Sequence, residues 1–164
     1  MNYFKTNLLP FLLVSQIALG GSIVYEEQID DFTDDVTITL AFLEDSHTEQ
    51  LPRILAISCG VGDIVLLIQN GFHFSYSNRS NVLVRFDKKE AYLNGLNLDS
   101  NGIIYTTNEE YIKKFLDEAV SSNDLVIGTE GNAHTMRFSD FSGDQAKVKE
   151  FLDKINSYES CRLN

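Results

Sequence analysis

Apolar residues recur at every second position in three stretches of this chain, and that period specifies strands with one buried face. Val36, Ile38, Leu40 and Phe42 alternate with Thr37, Thr39 and Ala41. Phe72, Phe74 and Tyr76 alternate with His73, Ser75 and Ser77, and Val82, Val84 and Phe86 with Leu83 and Arg85. Two continuous apolar runs, Ile54–Cys59 and Ile64–Gln69, flank Gly60-Val61-Gly62-Asp63, a hairpin-type connection, and Asn70-Gly71 is the strongest turn signal in the chain. Read in order, these segments predict an antiparallel meander. Residues 88–106 carry weaker strand character at 91–96 and 103–105. Leu125–Gly128 and Thr135–Phe138 predict a later hairpin. Residues 21–35 are acidic and turn-rich and read as a lead-in before the first strand.

Two helices complete the pattern. Thr107-Asn108-Glu109-Glu110 fits a capping box, followed at helical spacing by Tyr111, Ile112, Phe115, Leu116, Ala119 and Val120. Ser142-Gly143-Asp144-Gln145 fits a second box, ahead of the stripe Val148, Phe151, Leu152, Ile155 and Tyr158. Hairpin-connected strands with helices laid against them predict an α+β fold, an antiparallel sheet with two packed helices, rather than a parallel α/β sheet.

The first twenty residues read as an export leader. Lys5 is the sole charge before Glu26, an apolar run extends from Leu8 to Leu19, and Ala18 and Gly20 occupy the small-residue positions of a cleavage site, so cleavage after Gly20 is expected. The competing reading is an uncleaved anchor, since Leu8 to Val24 is 17 residues, at the lower limit for spanning a bilayer. With a leader at 1–20, the remaining 21–164 is one domain: removing 20 residues from 164 leaves 144. The expected location is the periplasm or the exterior.

Residues 1–20 hold one base and no acid, so the remainder carries 12 Lys and Arg against 24 Asp and Glu, a formal −12. Such a chain repels phosphate backbones and anionic lipid, which argues against nucleic acid and, once the leader is removed, membranes as partners. A basic protein partner is favoured electrostatically; the alternative is that the charge serves solubility alone. The two cysteines, Cys59 and Cys161, form an even pair that an oxidising compartment would close into one disulfide, worth about 4–5 kcal/mol in the loop-entropy model; two free thiols are the alternative.

Four segments together carry a family likeness: Gln28-Ile29-Asp30-Asp31 ahead of the Val36–Leu40 strand, Ile54–Cys59, Val84-Arg85-Phe86-Asp87, and the block from Tyr111 to Cys161 that includes Met136-Arg137-Phe138-Ser139 and Phe141-Ser142-Gly143. In these the chain resembles the small exported type VI secretion-associated VasI-like proteins and their prophage-encoded relatives. It departs from them in having no tryptophan. The resemblance implies an accessory, protein-binding role without catalytic residues, and supports the Cys59–Cys161 pair and a structural role for Arg85 and Asp87.

Catalytic and metal signatures are weak. His47, His73 and His134 have no metal-ligand spacing to cysteine or aspartate, and no Gly-x-Ser-x-Gly elbow occurs. The Asp30–Asp35 cluster lacks the alternate-residue spacing and closing glutamate of a calcium loop and reads as a solvated segment. Asn78-Arg79-Ser80 matches the short glycosylation pattern, a frequent chance match. Arg85 and Asp87, two apart on one predicted strand, read as a partly buried ion pair or as a pair bonding the neighbouring strand, with a ligand-binding charge as the alternative. No catalytic residue, metal or cofactor is expected. The predicted function is a non-enzymatic exported binding or accessory protein; the alternative is a small cell-wall or peptide hydrolase using an Asp/Glu acid–base pair.

Overall fold

The computed structural model describes residues 23–31, 33–44, 53–60, 63–69, 79–98, 103–129 and 135–163. Among these residues nine strands form one antiparallel sheet: β1 (Ile23–Ile29), β2 (Val36–Leu43), β3 (Ile54–Cys59), β4 (Ile64–Gln69), β5 (Arg79–Phe86), β6 (Tyr92–Leu98), β7 (Ile104–Thr106), β8 (Leu125–Thr129) and β9 (Thr135–Phe138). Two helices, α1 (Glu109–Ala119) and α2 (Gln145–Ile155), pack against it. The α+β class expected from hairpin-connected strands is the class observed.

The alternation of apolar residues becomes a single interior. Ile38, Leu40 and Phe42 of β2 face inward with Leu55, Ile57 and Cys59 of β3 and Ile64, Leu66 and Ile68 of β4. Val82, Val84 and Phe86 of β5 continue the layer, and the stripe Tyr111, Ile112, Phe115, Leu116 of α1 and Val148, Phe151, Ile155 of α2 covers it. Phe42 marks how strongly the sheet curls. It lies on the second strand of the sheet, yet its ring stands edge-on to Phe138 of the ninth at 6.3 Å, and also meets Phe115 at 5.7 Å and Phe141 at 5.8 Å. A flat sheet would hold β2 and β9 seven strand spacings apart, each about 4.8 Å.

The strand order is β1-β2-β3-β4-β7-β6-β5-β8-β9. The meander expected from sequence therefore ends at β4. The β5–β6–β7 block enters reversed, so that β4 pairs with β7 and β5 pairs with β8. Hydrophobic alternation specifies which face a strand buries and is silent on which neighbour it takes, so this inversion has no period-two signature. The predicted Phe72–Tyr76 strand and the Asn70-Gly71 turn lie outside the described residues.

β1 replaces the lead-in expected over 21–35. Ile23 and Tyr25 point inward, and Glu27, at the next inward position, reaches Lys154 of α2 at 3.0 Å. The acidic residues after it form the β1–β2 turn rather than a separate segment. Asp30 and Asp35 close the hairpin through a 2.9 Å backbone bond, the Asp30 carboxylate accepts from the Thr33 amide, and Asp34 takes a left-handed φ of 58°. Aspartate tolerates that conformation better than most residues, which accounts for acids at these positions.

Both helix starts differ by detail from the capping boxes expected. At α1 the cap is Asn108, not Thr107: its Oδ1 accepts from the Tyr111 amide at 2.9 Å, while Thr106 Oγ1 accepts from the Asn108 amide at 3.1 Å. At α2 a 3-10 turn over Phe141–Asp144 precedes the helix, and no side chain caps it. The Asp144 carboxylate instead accepts the Ile23 amide at 3.2 Å, and Lys147, paired with Asp144 at 2.7 Å, donates to the Ile23 carbonyl at 2.9 Å. The carboxylate is drawn away from its own helix to fasten the start of β1.

Candidate functional site

Cys59 ends β3 facing the core, and Cys161 lies in the last 3-10 turn beyond α2; both are buried, with Cα atoms 5.9 Å apart. That is disulfide distance, as the sequence led us to expect, and it is reached because α2 packs across β1 and β2. The expected leader and its Gly20 boundary, all three histidines and Asn78 lie outside the described residues.

Arg85 and Asp87 do not form the ion pair expected. Arg85 is exposed on β5, whereas Asp87 follows the end of that strand, with φ 49°, so strand alternation no longer governs it. Its Oδ1 accepts from the Asn123 and Asp124 amides at 2.9 and 3.0 Å, and its own amide donates to the Asp124 carbonyl at 2.8 Å. The hydrogen bond from the Asn123 amide, against an opposing effect of burial, holds the carboxyl below the usual aspartate range. Asp87 is thus a clasp between the end of β5 and the start of β8, and its charge is directed at backbone.

A second group of polar atoms lies between β6 and α1. The Tyr92 and Tyr111 rings meet edge-on at 6.3 Å, and Lys114 Nζ sits 4.0 Å over the Tyr92 ring. Both hydroxyls are buried without a hydrogen-bond partner, and burial pushes both phenols well above their ordinary value. They remain protonated at any physiological pH and cannot serve as bases there.

A concavity open to solvent lies between β1 and α2. It is an open groove of about 590 Å³ bounded by Tyr25 and Glu27 on the strand and by Ala146, Glu150, Asp153 and Lys154 on the helix. Tyr25 packs edge-on against Phe151 at 6.4 Å, which fixes the floor. The hydrogen bond from Lys154 to Glu27 raises the lysine above its ordinary value, so the lysine stays charged; burial, then the neighbouring Glu27 charge, raises the Tyr25 phenol. One of the groove's three carboxylates is therefore neutralised. The other two, Glu150 and Asp153, sit on the exposed side of one helix and do not face each other across a cleft, the arrangement a paired acid–base mechanism needs.

Residue-level reasoning missed this groove because it missed β1. The available signal was the alternation of Ile23, Tyr25 and Ile29 on one face, broken at Glu27. Among the described residues no cluster of three or more His, Cys, Asp or Glu could hold a metal ion, and no helix is long and apolar enough to cross a membrane. Comparison with protein-family models, with characterised proteins and with solved structures finds no match to this chain.

Proposed function

We propose that this chain is an exported, non-catalytic accessory protein that acts by binding another polypeptide. The observation that carries the reading is the character of its groove: open to solvent, formed by one strand and one helix, and with charged residues at five of its eight lining positions. Small-molecule sites enclose most of their ligand, whereas an open groove between a strand and a helix suits an extended polypeptide. The leader-like residues 1–20 and the cysteine pair at bonding distance support export to an oxidising compartment. The family resemblance supports an accessory role beside a secretion machine or in a prophage.

The net charge of −11 gives the proposal a direct test. The exported chain is used to capture partners from a periplasmic extract, and binding to the purified partner is then measured from low to high salt. Attraction between exposed charges is largely screened beyond about 8 Å at physiological ionic strength, so affinity should fall as salt rises. Charge reversal at Asp31, Asp34 and Asp35, compared with reversal at Asp117 and Glu118 of α1, locates the contributing face. Affinity that is indifferent to salt and to both sets of reversals would mean that the acidity serves solubility alone.

A further inference from the structure

In an antiparallel pair, a residue's N–H and C=O point to the same side of the strand, and successive residues alternate. Ile23 gives both groups to Asp144 and Lys147, away from β2. Asp30, an odd number of residues further on, bonds back to Asp35 within the β1–β2 hairpin. The parity is consistent from both ends: Val24, Glu26 and Gln28 pair with β2, while Tyr25, Glu27 and Ile29 turn their backbone groups outward. No other strand among the described residues lies on that side, because β1 is the first in the order of the sheet. Asp144 and Lys147 cover the edge at Ile23 and nothing among the described residues covers it beyond. Ile29 there is 57% exposed, against 38% for Leu83, the other exposed large apolar side chain among the described residues.

From this we infer that β1 is a strand-addition site, and that its occupant is an extended basic segment of a partner protein. The inference deepens the polypeptide-binding reading and rests on it. A strand laid along β1 finds the unpaired groups of Tyr25, Glu27 and Ile29, and its side chains on one face enter the groove against Ala146, Glu150 and Asp153.

Charge selects the occupant. With Lys154 engaged by Glu27, the groove retains Glu150 and Asp153 against Lys149, and the line of the strand continues past Glu26 to the exposed Asp31, Asp34 and Asp35. A segment with Lys or Arg at alternate positions meets Glu150 and Asp153 in the groove and the aspartates of the turn beyond it. A second copy of this chain is disfavoured by the same residues: pairing β1 with β1 would bring Glu26 and Glu27 of both copies together on chains that each carry −11.

The experiment uses the full chain and three synthetic octapeptides: alternating Val and Lys, alternating Val and Glu, and a Val/Lys peptide with Pro at two alternate positions to remove N–H donors. Binding is followed by NMR chemical shifts and titration calorimetry. The Val/Lys peptide should bind with shifts confined to residues 23–29 and 146–157, at least tenfold tighter than either of the others. Glu27→Pro removes an outward donor without breaking the β1–β2 ladder and should weaken binding at least tenfold; Glu27→Gln, which keeps the donor, should weaken it less. The hairpin shifts of residues 30–36 report whether Glu27→Pro preserves β1, and Glu150→Lys with Asp153→Lys supplies a second variant that leaves the backbone intact. Absence of Val/Lys binding, equal binding of the three peptides, or shifts elsewhere overturns the strand-addition site. The capture experiment judges the polypeptide-binding reading separately. Concentration-dependent dimerisation lost in Glu27→Pro would instead make the second copy the occupant and overturn the basic segment.

Discussion

Replacing Phe42 by alanine probes the closure of the sheet more sharply than any other single change. Phe42 is fully buried and its ring touches one aromatic from α1 (Phe115), one from β9 (Phe138) and one from the 3-10 turn (Phe141). Truncating a buried phenylalanine costs about 3–5 kcal/mol, through lost transfer energy and the cavity left behind. Each edge-on ring pair contributes about 0.5–1.5 kcal/mol beyond burial, and three are lost here, so the expected cost lies at the upper end, about 4–5 kcal/mol. Against a total stability of about 5–15 kcal/mol, such a variant would be marginal. Phe42→Leu keeps most of the volume and should cost about 1–2 kcal/mol. Leu83→Ala, at a side chain 38% exposed on the outer face, should cost under about 1 kcal/mol. The chain has no tryptophan, so urea unfolding is followed by far-UV circular dichroism and tyrosine fluorescence. A Phe42→Ala cost below about 2 kcal/mol would refute the aromatic closure. A Phe42/Phe138 double-mutant cycle with no coupling would separate β2 from β9 outright.

The remaining expectations concern the two clasps outside the groove. Intact mass with and without reduction should show one disulfide joining Cys59 and Cys161 and no thiol open to alkylation in the denatured, unreduced chain, and Cys161→Ser should lower stability by about 2–5 kcal/mol. Asp87 has a lowered folded-state pKa, so its contribution is present above the unfolded aspartate value of about 3.9 and is lost as pH falls through the folded value. Asp87→Asn, which tolerates the left-handed φ and keeps one acceptor oxygen, should cost about 1 kcal/mol at pH 7 and less as pH falls below about 4, measured by urea unfolding at both pH values. A difference that stays constant with pH would detach the carboxylate charge from the Asn123 and Asp124 amides.

Much of the architecture was legible where burial alone decides. Val36–Phe42, Ile54–Cys59 and Ile64–Gln69 announce strands because each buries one face or nearly both, and Tyr111–Val120 announces a helix because its apolar stripe has helical spacing. The illegible parts are those where a polar side chain works through tertiary contact. Glu27 breaks the apolar alternation of β1, and Lys154, 127 positions away in the chain, explains a carboxylate on the face that carries Ile23 and Tyr25. Asp144 looks like part of a helix cap and instead holds Ile23. Asp87 looks like a strand residue and instead turns through φ 49° to bind a distant loop. The reversed β5–β6–β7 block is hidden for another reason, since β4 would bury the same face beside β5 as beside β7.

Amide hydrogen exchange across β1 tests the central claim most directly, because it reads the open edge residue by residue. In the free chain the amides of Val24, Glu26 and Gln28, bonded to β2, should be protected, while those of Tyr25, Glu27 and Ile29 should exchange nearly as fast as in an unfolded peptide. With the alternating Val/Lys octapeptide near saturation, Tyr25, Glu27 and Ile29 should gain at least about tenfold protection and the other three should change little. Uniformly fast exchange over residues 23–29 would remove β1 as a strand. An alternating pattern that the peptide leaves untouched would leave the strand in place and contradict its role as the docking edge.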